Sequence, residues 1–265
     1  MERVLLLGNP GTGKSTLLNS LIGRPVFQSG ISLGSGHTQF LQEYHAHGVT
    51  YIDTPGLADV ELRQQAAAAI AAALRKHGSY KLFFVVMLRN GRVQPEDVVT
   101  INKVIASVDI SPLSFSVIVN SVKPVAHRRI LSDQRAYAAI LNSLNSGQHS
   151  TQSVCFLPLM TELEEQRNAI LRPCPSDFVA FVNHAPRVFI PLERVRSVTL
   201  HHAAFEHQLA QAQREIARLS HENDALEAHA HQLQVPRQRS DSGDGASIAK
   251  GVAVGVAAVV LCSIM

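Results

Sequence analysis

Between residue 3 and about residue 192, short apolar runs rich in β-branched side chains alternate with longer stretches whose apolar positions recur at helical spacing. That alternation predicts a mostly parallel sheet with helices on both faces, because a parallel neighbour needs a crossover connection. The predicted strands are Val4–Leu7, Val49–Ile52, Leu82–Leu88, Phe115–Val119 and Val154–Leu157. Phe40–His45 is expected to lie beside Val49–Ile52 as an antiparallel edge, with Gly48 supplying the turn. The predicted helices are Lys14–Leu21, Val60–His77, Glu96–Ser107, Ser132–Leu144 and Thr161–Leu171. Alanines favour the second of these, and Gly78 stands where a C′ glycine would end it. Pro95 opens the third, where a missing N–H costs nothing, and Thr161 to Glu164 reads as a capping box for the last.

After residue 192 the pattern changes to Ala, Gln, Glu, His and Arg with an apolar heptad. Leu209, Ile216, Asn223 and Ala230 fall at a, and Phe205, Ala212, Leu219, Leu226 and Leu233 at d. A repeat of about four heptads makes 193–235 a long helix and a candidate coiled coil, with Asn223 favouring a parallel dimer. The alternative is that the stripe folds back on the preceding domain. Pro236 stops the helix, and 236–245 is a polar linker. The segment 246–265 is hydrophobic and uncharged from Gly251 onward. From Gly251 it is shorter than the roughly 20 residues that cross a bilayer core, although Lys250 snorkelling would extend its reach. A transmembrane tail anchor is expected, with a surface or intramolecular segment and a disordered tail as its rivals. Cys262 fits a prenylation pattern only loosely, so the apolar run is expected to fix any attachment.

Charge narrows the partners. Twenty-four Lys and Arg against 21 Asp and Glu leave a net +3, too small an excess to imply a nucleic-acid partner. Three widely spaced cysteines suit a reducing compartment better than a disulfide framework, so an intracellular, cytoplasmic chain is expected.

The candidate chemistry lies at the first strand-to-helix turn. Gly8-Asn9-Pro10-Gly11-Thr12-Gly13-Lys14-Ser15 matches the P-loop word and sits between an apolar strand and a helix, as that word requires. The glycines let the backbone wrap phosphates, and N–H groups of the loop and of the helix start, through Thr16, point inward. Lys14 is expected to neutralise β and γ phosphates, and the Ser15 hydroxyl to ligate Mg²⁺. Asp53-Thr54-Pro55-Gly56 ends a neighbouring strand, where open parallel sheets place ligands. Asp53 would hold Mg²⁺ through water, and Gly56 would offer an N–H to the γ-phosphate. Thr38, in the flexible Gly34-Ser35-Gly36-His37-Thr38 stretch, is a further Mg²⁺ candidate, with Ser32 and Ser35 as weaker rivals.

These words resemble those of a translation-factor-class GTPase, most nearly the AIG1 type. Gly8 to Ser15 is similar to its first motif, Thr38 to its second and Asp53 to Gly56 to its third. Gly34-Ser35-Gly36, Leu57-Ala58-Asp59 and Gly91-Arg92 also resemble that type, and the likeness covers about residues 1–190 of the G domain expected over 1–192. The resemblance implies an α/β P-loop NTPase G domain binding GTP or GDP with Mg²⁺, slow hydrolysis, homodimer or homo-oligomer formation, and frequent membrane attachment by the C-terminal end. Asn120 would contribute to base recognition. In Asn120-Ser121-Val122-Lys123, however, Lys123 stands where such GTPases carry an acid, and a lysine cannot accept from guanine. Guanine selectivity is accordingly expected to be modest. Leu57 occupies the place of a water-orienting glutamine, so catalytic help would come from Lys14, from Thr38, from His37 or from a second subunit. An ATP-using P-loop enzyme and a non-hydrolysing, nucleotide-bound scaffold are the competing readings.

Overall fold

The computed structural model describes residues 2–29, 40–57, 63–76, 78–161, 170–171, 174–198 and 202–234. Its contacts divide at Leu226 into a first unit, Met1–Leu226, and a second, Glu227–Met265, of which only the end of a helix is described. The first unit is built on β1 (Glu2–Leu7), α1 (Lys14–Ile22), β2 (Gln42–Ala46), β3 (Val49–Asp53), α2 (Arg63–Leu74), β4 (Gly78–Met87) and α3 (Pro95–Ala106). It continues with β5 (Ser116–Val122), α4 (Pro124–Ser132), α5 (Gln134–Leu144), β6 (Val154–Pro158), α6 (Ser176–His184) and β7 (Val188–Ile190), and the chain then enters α7 (His202–Gln234).

The seven strands form one sheet in the order β2-β3-β1-β4-β5-β6, with β7 pairing antiparallel to the first residues of β4. The pairs β1–β3, β1–β4, β4–β5 and β5–β6 are parallel, and β2–β3 is the expected antiparallel edge. Its turn uses His47 at φ 51° and Gly48 at φ 76°, the two left-handed residues of a tight hairpin. Alternation along β1 sends Leu5 and Leu7 into one core layer and Val4 and Leu6 into the other. Burial on both faces is why this strand reads as an unbroken apolar run. The first layer packs against α2, α3 and α5, and the second against α1 and α6.

Several boundaries differ from the sequence expectation for local reasons. The strand expected from Leu82 begins at Gly78, so that glycine does not end α2. The Tyr80 hydroxyl instead lies within hydrogen-bond reach of the carbonyls of Ala73, Leu74 and Lys76 at the helix end, which share its one proton, and burial pushes its pKa up to about 12. Asp133 caps α5 by accepting from Arg135 N–H at 2.9 Å, which separates α5 from a helix, α4, that the pattern did not reveal. Most of the helix expected over Thr161–Leu171 lies outside the described residues.

Helix α7 settles how the first half of the apolar stripe is used. Phe205 and Ile216, expected at d and a of a coiled coil, are 2% and 8% exposed, and Ile216 belongs to the core layer over α3. The stripe thus folds back on its own domain there, whereas Leu226 is 65% exposed. The transmembrane and membrane-anchored expectations require a correction. Among the described residues no helix is long and apolar enough to cross a membrane. The one long helix, α7, carries Arg218 bridged to Glu215 and Glu222 along its surface. The linker and the 246–265 segment, on which those expectations rested, lie outside the described residues.

Candidate functional site

The site forms at the carboxyl end of β1, where the strand order reverses between β3 and β4, the place at which open parallel sheets hold their ligands. Gly8, Gly11 and Gly13 all take positive φ, of 139°, 77° and 90°. Two of them also permit close approach. A Cβ on Gly8 would lie 2.3 Å from the Val85 carbonyl oxygen of β4, and one on Gly13 would lie 2.4 Å from Asn120 Nδ2. The loop is therefore pressed against two neighbouring strand ends, and its conformation is set by them.

Lys14 opens α1 but turns back beneath the loop. Its ammonium donates to the carbonyls of Gly8 at 3.1 Å and Asn9 at 2.9 Å, with the residue 6% exposed. Burial lowers its pKa to about 8, opposed by the nearby carboxylates of Asp53 and Asp97. A cation so desolvated, bonded to neutral carbonyls, favours the arrival of an anion. The Thr12 hydroxyl donates to the Asn9 carbonyl at 3.0 Å and closes the same turn.

Asp53 ends β3 fully buried beside this helix, and Ser15 Oγ donates to its Oδ2 at 2.6 Å. A hydroxyl and a carboxylate brought together from two elements are hard oxygen donors, the set that Mg²⁺ takes. Thr54, also fully buried, donates to the Leu6 carbonyl at 2.8 Å and ties the third motif to β1. Gly56 meets the loop directly: a Cβ there would stand 2.3 Å from both Pro10 N and Cδ. Leu57 is fully buried in the core layer over α2, so its side chain faces the core.

On the other side of the loop, Asn120 near the end of β5 donates to the Thr12 carbonyl at 2.9 Å. The chain then turns through Ser121 at φ 55°, and Lys123 is exposed at the N-cap of α4. The loop after β6 joins this wall through a 2.8 Å bond from Leu159 N–H to the Val122 carbonyl. Pro10, Gly11 and Thr16 lie in the described loop and first helical turn, whereas His37 and Thr38, with Ser32 and Ser35, fall outside the described residues.

Sequence reading missed one part of the site. Asn9 Nδ2 donates to Asp97 Oδ1 at 2.6 Å, and Thr100 Oγ1 donates to Asn9 Oδ1 at 2.9 Å. Both partners come from α3, which sequence spacing gives no reason to connect with residue 9. The single available signal was an acid in the first helical turn, and that is ordinarily explained by the helix dipole.

A model described as the AIG1 family matches residues 2–137. Among solved structures, Toc33 from Arabidopsis thaliana in complex with Mg²⁺ and GMPPNP is 17% identical, with a TM-score of 0.44, over 71% of this chain and 88% of that one. NFeoB of S. thermophilus bound to GDP and AlF₄⁻ is 13% identical, with a TM-score of 0.40, over 70% and 63%. The elongation factor SelB from Methanococcus maripaludis with GPPNHP is 16% identical, with a TM-score of 0.37, over 69% and 34%. These are distant likenesses.

Proposed function

The chain belongs to the AIG1 family, and from that premise we propose that it is a guanine-nucleotide-binding P-loop GTPase with slow intrinsic hydrolysis that acts as a self-associating switch. The observation that carries this reading is the buried Lys14 ammonium under a glycine loop, next to the Ser15–Asp53 pair. The N–H groups of 8–16, Pro10 excepted, and Lys14 would hold the β and γ phosphates, Ser15 and Asp53 would hold Mg²⁺, and Asn120 would face the base. When bound, the metal would offset phosphate charge. Thr38 and His37 keep their proposed roles at the metal and at the attacking water. Toc33 is described as occurring in complex with GDP and Mg²⁺ and in a dimerization-deficient mutant form.

Slow turnover follows from Leu57. An aliphatic side chain buried in the core can neither accept from nor donate to a water, so orientation of the nucleophile must come from another group. His37 or a residue of a second copy of the chain would supply it. The non-hydrolysing scaffold remains as a second reading on the strength of the same residue.

Nucleotide released on denaturing freshly purified protein, separated by ion-exchange chromatography, tests the reading. GDP or GTP is expected, and ATP or ADP alone would refute guanine binding. Lys14→Ala removes a charge-assisted contact worth about 1.5 to 3 kcal/mol and should weaken binding at least about tenfold. Retention within about threefold would refute the phosphate assignment. A multiple-turnover assay over a range of protein concentrations then separates switch from scaffold. Specific activity that rises with concentration supports the switch.

A further inference from the structure

Asn9 is the second residue of the phosphate loop, and helix α3 holds its side chain at both ends. Asp97 and Thr100 lie three residues apart on α3 and so share one face. With Asp97 ionised the carboxylate only accepts, so Nδ2 of the Asn9 amide points toward Asp97 and Oδ1 accepts from the Thr100 hydroxyl. Asn9, Asp97 and Thr100 are 8%, 5% and 1% exposed. The backbone carbonyl of the same asparagine accepts from the Lys14 ammonium at 2.9 Å and from the Thr12 hydroxyl at 3.0 Å. One residue therefore connects α3 to the cation of the site.

Asp97 occupies a costly position for a residue with only a structural duty. Burial pushes its carboxyl up to about 7, with Glu96 adding to the rise, and the Asn9 bond, Arg89 and Lys14 oppose it. An apolar residue of similar volume would suit the fold alone better than a carboxyl kept dry.

We propose that Asp97 and Thr100 are positioning residues of the phosphate loop, acting through the Asn9 side chain to fix the carbonyl that orients Lys14. They set nucleotide affinity without touching the nucleotide. This rests on the nucleotide-binding reading above. Asp97→Leu and Thr100→Val leave Asn9 half-held, while Asp97→Asn keeps an oxygen to accept from Nδ2.

The test is titration of the full chain with a fluorescent GDP analogue and Mg²⁺, with circular dichroism to confirm folding at the assay temperature. Asp97→Leu and Thr100→Val are each expected to weaken binding roughly tenfold, and Asp97→Asn to stay within about threefold of the parent. The Asn9→Ala, Thr100→Val double variant should bind no more weakly than Asn9→Ala alone, because Thr100 acts through Asn9. Should Asp97→Leu fail to fold, the cycle between Asn9 and the near-isosteric Thr100→Val decides. Equal losses in Asp97→Asn and Asp97→Leu, or a double variant whose loss is the product of the single losses, would overturn the proposal while leaving nucleotide binding intact. A parent that binds no guanine nucleotide would sink both.

Discussion

Gly56→Ala isolates the contact between the third motif and the phosphate loop. Gly56 is not in a left-handed conformation, so alanine adds no backbone strain there and its whole effect is steric. The new Cβ would lie 2.3 Å from Pro10 N and Cδ and 2.6 Å from Cγ. Unstrained carbon contacts sit near 3.5 to 4.0 Å, so the overlap exceeds about 1 Å, and it falls on a ring and a backbone atom that cannot rotate away. Overpacking of that kind costs about 1 to 3 kcal/mol. Because the loop is the part displaced, most of this should appear as lost affinity, roughly 5- to 150-fold for a GDP analogue by calorimetric titration. Gly11→Ala is the control with opposite properties. It has φ 77° and no atom within 4 Å of its Cβ, so it should cost only the about 1 to 2 kcal/mol of left-handed backbone and no contact with the third motif. Adding Pro10→Ala, which removes the ring carbons, should recover part of the Gly56→Ala loss and none of the Gly11→Ala loss. The reasoning is refuted if Gly56→Ala binds within about twofold of the parent with an unchanged melting temperature.

Guanine preference over ATP and XTP should be modest in the parent, and Lys123→Asp should sharpen it several-fold by supplying an acceptor beside Asn120; an unchanged ratio would place the base elsewhere. For Asp97, the folded pKa of about 7 stands above the ordinary 3.8, so its contribution to stability is fully present below about pH 4 and is lost as pH rises through about 7. The nucleotide-free parent should therefore lose up to about 4 kcal/mol between those limits, and thermal melts should show a shallower pH dependence in Asp97→Asn. Parallel profiles would contradict that. Ile216→Asp, which forces a carboxylate into the core layer, should lower the melting temperature by many degrees, whereas Leu226→Asp on the exposed side should shift stability by no more than about 0.5 kcal/mol. Equal effects would argue against the packing of α7 on its own domain.

Which features were legible in the sequence depended on whether their cause was local. The P-loop and the Asp53 motif were legible because glycine positions, a lysine and a hydroxyl at fixed spacing are what a tight phosphate turn demands. The hairpin at Gly48 was legible for the same reason. Helix α4 was not, since Lys123-Pro124 opens it with a break that also reads as a loop, and its burial rests on Ile130. Strand β7 is three residues long and exists through its pairing with Gly78 to Tyr80, a contact that no periodicity announces. The heptad in α7 showed correctly that one face needs cover. Period alone cannot say whether that cover is a second helix or the chain's own sheet layer.

The same distinction explains why three motifs distant in sequence behave as one site. Two of the contacts reach the phosphate loop, Asn120 to the Thr12 carbonyl and Asp97 to Asn9, while Thr54 reaches the Leu6 carbonyl of β1 just before it. Strand β1 is central, with β3 and β4 on its two sides, so its carboxyl end and the loop that follows it are where these contacts meet. Glycine at 8 and 13 is then required twice over, by the backbone and by a neighbour within 2.4 Å, and at 56 once, by its neighbour. Of the two carbonyls that hold Lys14, those of Gly8 and Asn9, the second belongs to the residue whose side chain bonds Asp97. Helix α3 is thereby joined to the ammonium through a single residue, Asn9, whose side chain it holds and whose carbonyl accepts from Lys14.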